Sequence, residues 1–143
     1  MFLPYNFVGM NVNLAEKIIT MAAASKILII DDMPSHLLLL KTILEEEGFQ
    51  VHTAENVEDA FSMLNEVSAI KLILLDIMMP EADGFEFLDR VKDSDINEVP
   101  VVVVSAKTDH DSIQKAIDKG AHDYLTKPFN IQDIRNKVMS ALD

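Results

Sequence analysis

The sequence contains no cysteine, so disulfides, thiolate chemistry and cysteine-ligated zinc are all excluded. It has no apolar run approaching the roughly 20 residues that a membrane-spanning helix needs, so no membrane association is expected. Positive charge is scarce. Twelve Lys and Arg stand against 24 Asp and Glu, a formal net charge of −12. A field of that sign repels phosphate backbones and argues against nucleic-acid binding by this chain alone. The apolar stretch Met1–Met10 lacks a basic leading segment and is interrupted by Pro4, Asn6 and Gly9. It does not read as a secretory signal peptide. Internal repeats and low-complexity tracts are also absent.

What remains is a chain of 143 residues, enough for one domain with a real core. Hydrophobic residues make up 49% and charged residues 25%, the ordinary balance of a globular protein. Residues 1–25 read as an extension and residues 26–143 as the domain. The extension has two readings. In one, Met21 is the natural start, Ala22-Ala23-Ala24-Ser25 leads into the first strand, and the upstream residues are dispensable. In the other, Asn13 caps a short amphipathic helix with Leu14, Ile18 and Met21 on one face, docked on the domain or on a second copy.

From Lys26 onward, strands and helices alternate. Lys26–Ile30 is an apolar strand ending in Asp31-Asp32, and Pro34 then suits the first turn of a helix that stops near Gly48. Gln50–Ala54 is a short strand, with a helix from about Val57 to Val67 bearing Ala60, Phe61 and Leu64 on one face. Leu72–Leu75 is a strand of four apolar residues, suited to burial on both faces. It ends on Asp76, before a loop with Pro80 and the turn pair Asp83-Gly84. A helix from Gly84 to about Lys92 buries Phe87, Leu88 and Val91. The four valines Val101–Val104 form a central strand ending at Ser105. The next helix, about His110 to Lys119, carries Ile113, Ala116 and Ile117, with Gly120 beyond its end. His122–Leu125 is the last strand. Asn130 caps the last helix with Asp133 at N3, and Ile131, Ile134, Val138 and Leu142 form its stripe.

Five strands alternating with five helices predict a doubly wound parallel sheet of the flavodoxin-like α/β class, with strand order 2-1-3-4-5. In that order, the carboxyl ends of neighbouring strands carry Asp31-Asp32, Asp76, Ser105 and Lys127. Ligands collect at this rim in open α/β sheets. Taken singly, each residue has an ordinary reading: a turn, a helix cap, a strand end or a solvated lysine. Together they place three carboxylates, a hydroxyl and an ammonium on one edge. A hard divalent cation relieves the carboxylate repulsion, and all-oxygen ligation suits Mg²⁺. Mg²⁺ with a lysine fits the charge of a phosphoryl group in transfer, and a carboxylate can be the nucleophile.

These segments resemble the receiver domains of two-component response regulators. The pieces are Ile29-Ile30-Asp31-Asp32, Leu74-Leu75-Asp76-Ile77-Met78-Met79-Pro80 with Asp83-Gly84, Val104-Ser105-Ala106, and Gly120-Ala121-His122-Asp123-Tyr124-Leu125-Thr126-Lys127-Pro128-Phe129. The resemblance runs from Lys26 to the C-terminus. It implies that Asp76 is the phosphoacceptor. It also implies that Asp32, Asp76 and the Met78 backbone carbonyl ligate Mg²⁺ directly, with Asp31 acting largely through water. Lys127 becomes the phosphoryl counter-ion, on a cis bond to Pro128. Ser105 takes the hydroxyl switch position and Tyr124 the aromatic one, read from its residue type as a half-buried ring with its hydroxyl in water. Phosphorylation would then reshape the face of the fourth helix, fifth strand and fifth helix.

The implied role is a cytoplasmic signalling phosphoacceptor rather than a turnover enzyme. Its donor would be a histidine kinase or a histidine phosphotransfer protein, and its output a downstream protein target. It would act as a monomer or as a phosphorylation-linked dimer. Since the sequence closes at Asp143 with the fifth helix, a stand-alone or an excised receiver is expected. Leu37 and Leu38, at the boundary and on the polar side of the first helix, are the expected donor contacts. Two alternatives stand beside this reading. One is a receiver-like module that binds its partner regardless of phosphate. The other is an Asp-nucleophile phosphatase of the haloacid-dehalogenase type, which needs a second Asp where Met33 or Met78 stands. The four histidines, His36, His52, His110 and His122, are scattered and suggest no cluster.

Overall fold

Apolar runs place the centre of the sheet. The computed structural model describes residues 12–16, 25–79 and 84–143. Its strands are β1 (Lys26–Ile30), β2 (Gln50–Ala54), β3 (Ile70–Leu75), β4 (Val101–Ser105) and β5 (Asp123–Thr126). They are all parallel, in the order β2-β1-β3-β4-β5. The helices between and after them are α1 (Pro34–Glu46), α2 (Val57–Glu66), α3 (Gly84–Lys92), α4 (His110–Asp118) and α5 (Ile131–Leu142). The flavodoxin-like expectation holds, with β3 starting two residues earlier than expected and β5 one residue later.

The alternation of side chains along the central strands divides the core in two. Leu28, Ile30, Ile73, Leu75, Val101 and Val103 face Ala60 of α2, Phe87, Leu88 and Val91 of α3, and Ala116 of α4. Ile27, Ile29, Leu72, Leu74, Val102 and Val104 face Leu37, Leu40, Ile43 and Leu44 of α1 and Ile134 and Val138 of α5. Each fully buried aliphatic side chain contributes about 1.5–3 kcal/mol relative to exposure. A strand buried on both faces therefore anchors both helical layers.

The helix ends follow the local chemistry. Pro34 opens α1. The Asn56 side chain caps α2 by accepting from the Asp59 amide at 2.8 Å. Asn130 and Asp133 form a reciprocal capping box on α5. Gly48 and Gly120 follow α1 and α4 with φ of 98° and 101°, a region that L side chains avoid. Gly84 has a different reason to be glycine, because a Cβ there would lie 2.5 Å from the Ile77 Cα. α3 consequently starts against the segment that follows Asp76.

Several side chains depart from their expected faces. Leu37 is buried at 6% exposure, while Ile117 and Ile131 are 40% and 42% exposed. Leu37 stands seven residues before Leu44, two turns away and nearly above it, so it shares the sheet-facing stripe. It is therefore corrected from a donor contact to a core residue. Leu38 is 66% exposed, as its place on the polar side requires. Residues 12–16 are helical and include Asn13, which thus stands inside the helix rather than at its cap. Ile18 and Met21 lie outside the described residues, as do Pro80 and Asp83.

Candidate functional site

The sheet ladder runs one residue past the strands and aligns the rim. The Asp76 amide donates to the Ile30 carbonyl at 2.9 Å, and the Asp31 amide donates to the Ala54 carbonyl at 3.1 Å. The two carboxylates thereby leave β1 and β3 at one level. Across the sheet, Ser105 pairs with Thr126, and the Lys127 amide donates to the Ser105 carbonyl at 2.9 Å. Parallel registration alone brings Asp31, Asp76, Ser105 and Lys127 to one edge. The Lys127–Pro128 bond is cis, as the resemblance implied.

Asp31, Asp76 and Ser105 are buried, at 1%, 7% and 0% exposure. Each carboxylate turns one oxygen to the backbone, with the Met33 amide donating to Asp31 Oδ1 at 3.0 Å and the Met78 amide to Asp76 Oδ1 at 2.8 Å. The second oxygens face the Lys127 ammonium, which donates to Asp31 Oδ2 at 3.1 Å and to Asp76 Oδ2 at 3.3 Å. Two buried carboxylates need such a counter-charge, because an unpaired buried charge is strongly unfavourable. Asp32, the next residue along β1's exit, is half-buried.

His36 joins this group, which the sequence reading did not anticipate. Its Nδ1 lies 3.1 Å from Asp31 Oδ2 and 2.8 Å from Lys127 Nζ. An ammonium offers only donors, so the short contact to Lys127 calls for the Nδ1 lone pair, with the ring proton on Nε2. A sequence signal for this placement existed. His36 occupies the first turn of the helix that leaves Asp31-Asp32, and helical side chains tilt toward their N-terminus, here toward the rim.

The ammonium therefore sits where three ligand atoms converge: Asp31 Oδ2, Asp76 Oδ2 and His36 Nδ1. Among the described residues these three side chains form the group able to hold a metal ion, with ligand atoms within 4.8 Å of one another. The ammonium acts as a stand-in cation, and the two carboxylates supply the hard oxygens that suit Mg²⁺. Those two oxygen donors fit that ion.

Ser105 and Tyr124 lie beside the acids. Ser105 Oγ accepts from the Lys107 amide at 3.3 Å, and the Tyr124 hydroxyl donates to the Lys107 carbonyl at 2.9 Å. Tyr124 is 8% exposed, so the expected half-buried ring with a wet hydroxyl is corrected: the ring is packed inside and its hydroxyl bonded to protein. The local reason is that the strand's alternation points Tyr124 into the core shared with Val103 and Ala116. Burial pushes the Tyr124 hydroxyl above its usual value of 10.0, and the negative charges of Asp109 and Asp76 add to that, against a lowering contact with Ser105.

Comparison with known proteins agrees with this geometry. The family model described as the response regulator receiver domain matches residues 27–139. The chain belongs to the response regulator receiver family. It is 38% identical over 118 residues to a transcriptional regulatory protein of Haemophilus influenzae, a CpxR homolog, covering 82% of this chain and 50% of that one. The receiver domain thus spans about half the length of the curated relatives it matches. A two-component response regulator from Clostridium difficile superposes with a TM-score of 0.77 at 31% identity, covering 82% of this chain and 95% of that one. The beryllofluoride-activated NtrC4 receiver domain dimer superposes with a TM-score of 0.75 at 33% identity, covering 82% and 95%. The chain is accordingly a two-component signalling module. Among the described residues no helix is long and apolar enough to cross a membrane.

Proposed function

We propose that this receiver domain accepts a phosphoryl group on Asp76 in a Mg²⁺-dependent transfer from a phosphohistidine donor. The observation that carries the reading is the Lys127 ammonium shared between Asp31 Oδ2 and Asp76 Oδ2 at the carboxyl edge of the sheet. Such an arrangement supplies a nucleophile, a metal-binding oxygen set and a mobile counter-charge within one pocket.

In the transfer, an Asp76 carboxylate oxygen forms the new bond to phosphorus. The phosphorus–nitrogen bond to the donor imidazole breaks, and its electron pair stays with the ring. The product is an acyl phosphate on Asp76. Asp31, Asp32, Asp76 and the Met78 carbonyl would hold Mg²⁺, which supplies charge neutralisation on the phosphoryl oxygens. Lys127 leaves its two-carboxylate contact to follow the new phosphoryl charge. Ser105 turns its hydroxyl toward a phosphoryl oxygen. Because Ser105 Oγ and the Tyr124 hydroxyl both bond to Lys107, that movement reaches the Tyr124 ring and the surface formed by α4, β5 and α5.

The output is a protein contact on that surface, with a downstream target or with a second copy. The activated NtrC4 receiver dimer supports the second form of output. Residues 26–143 are read as the signalling unit, with residues 1–25 preceding it.

The test is intact-mass measurement after incubation with acetyl phosphate and Mg²⁺. A single phosphoryl adduct is expected on the wild type, absent in Asp76→Asn and lost on adding EDTA before the donor. A folded wild type that takes no phosphoryl group from acetyl phosphate or from a kinase would overturn the reading in favour of a phosphate-independent binding module.

A further inference from the structure

We propose that His36 is a nitrogen ligand that tunes the acidic pocket toward transition-metal ions over Mg²⁺. This rests on the phosphoacceptor reading of the same pocket and deepens it by assigning a metal preference. Three features converge on it. The Nδ1 lone pair faces the pocket, since it meets the Lys127 ammonium at 2.8 Å. Nδ1 also stands 3.1 Å from Asp31 Oδ2. Two donors each at about 2.1 Å from one ion at a right angle are about 3.0 Å apart, so this pair is already spaced as neighbouring ligands. Finally, the ammonium is held at once by Asp31 Oδ2, Asp76 Oδ2 and His36 Nδ1, which shows that these atoms already share a cation position.

A metal ion has shorter bonds than an ammonium and would draw the same three atoms inward. Lys127 would leave as the ion enters, which frees it for a phosphoryl oxygen. The chemistry of the new ligand then decides which ion is favoured. Mg²⁺ prefers oxygen and gains little from an imidazole. Mn²⁺, Co²⁺ and Ni²⁺ bind nitrogen increasingly well, in the order of rising affinity common to mixed nitrogen and oxygen sites. The other described histidines are absent from the converging group. The preference is accordingly assigned to His36 alone.

The test compares Co²⁺ and Mg²⁺ binding by titration calorimetry, together with the visible absorption of bound Co²⁺. It uses the whole chain as wild type, His36→Leu and His36→Gln. His36 is half-exposed, so both substitutions should leave the fold intact, and retained Mg²⁺ binding checks this directly. The expected result is a fall of about tenfold or more in Co²⁺ affinity in both variants, with a changed Co²⁺ spectrum and Mg²⁺ affinity altered by no more than about threefold. An unchanged ratio of Co²⁺ to Mg²⁺ affinity would overturn the proposal. So would equal losses for both ions. Acetyl phosphate labelling of the wild type in Mg²⁺ tests the underlying phosphoacceptor reading separately. If the folded wild type takes no phosphoryl group from acetyl phosphate or from a kinase, that reading fails. If labelling succeeds while the affinity ratio is unmoved, the role of His36 alone is wrong.

Discussion

The Tyr124 hydroxyl donates to the Lys107 carbonyl at 2.9 Å, tying β5 to the loop that follows Ser105. Tyr124→Phe keeps the apolar ring but leaves that carbonyl without this donor. The expected loss is about 1 kcal/mol, read as a lower urea midpoint. Amide exchange should also quicken across residues 105–109. The same tie sets a pH dependence at the alkaline end. Burial raises the folded-state value of the Tyr124 hydroxyl above the usual 10.0. The contribution is therefore complete below about pH 10 and is lost as pH rises through the raised value. Absorbance titration of tyrosinate should show a late component that Tyr124→Phe lacks.

The Lys127 contacts make the pocket sensitive to metal. An ion that binds the folded form alone stabilises it by mass action, by about 2.7 kcal/mol at one hundred times the dissociation constant. Mg²⁺ should thus raise the melting temperature of the wild type, and EDTA should reverse the rise. Asp31→Asn removes a buried carboxylate from the pocket and should blunt the response. An equal Mg²⁺ shift in wild type and Asp31→Asn would place the ion elsewhere.

Arg135 joins α5 to the end of α1 through a buried carboxylate. Its Nε and Nη2 reach Glu47 Oε1 at 3.1 and 2.9 Å, and the two side chains are 10% and 2% exposed. Removing one partner of such a pair costs about 3–5 kcal/mol, whereas replacing both with apolar groups is often nearly neutral. Arg135→Met should therefore be much less stable than the wild type in urea. Adding Glu47→Leu to Arg135→Met should restore most of that loss. If the double variant is no better than the single one, the pair is not the source of the cost.

Much of the rim was readable because its causes are local. Leu72–Leu75 and Val101–Val104 are continuous apolar runs, and such runs sit at the centre of parallel sheets. Once the strand order is known, the residue after each run must lie on the carboxyl edge. The capping box of Asn130 and Asp133 was readable for the same reason, since both partners lie within one turn. Side-chain direction was harder. Ile117 lies at the solvent edge of α4 although its spacing from Ile113 and Ala116 suits a stripe. His36 looked isolated because its partner Lys127 lies 91 residues away and meets it only in the fold. The alternation of β5 turns the Tyr124 ring inward, but the Lys107 carbonyl that takes its hydroxyl lies 17 residues away and meets it only in the fold.

Leu37 and Leu38 are adjacent in sequence but have opposite environments, and this separates folding from partner recognition. Leu37 packs in the layer between the sheet and α1, while Leu38 is 66% exposed on the same helix. Met33, Leu39 and Met78 are exposed as well, at 47%, 54% and 48%, Met33 and Leu39 on the segment that follows β1 and Met78 on the one that follows β3. Exposed apolar side chains on the segments that leave Asp31 and Asp76 suit the proposed donor contact. Leu38→Asp places a charge in water and should change stability by no more than about 0.5 kcal/mol. It should nevertheless slow phosphotransfer from the cognate donor while leaving labelling by acetyl phosphate unchanged, because the small donor needs no protein contact. Leu37→Asp buries an unpaired carboxylate and should cost about 4 kcal/mol or more, seen as loss of the cooperative unfolding transition. If Leu38→Asp folds and still receives phosphoryl groups from the donor at the wild-type rate, donor docking does not use this face of α1.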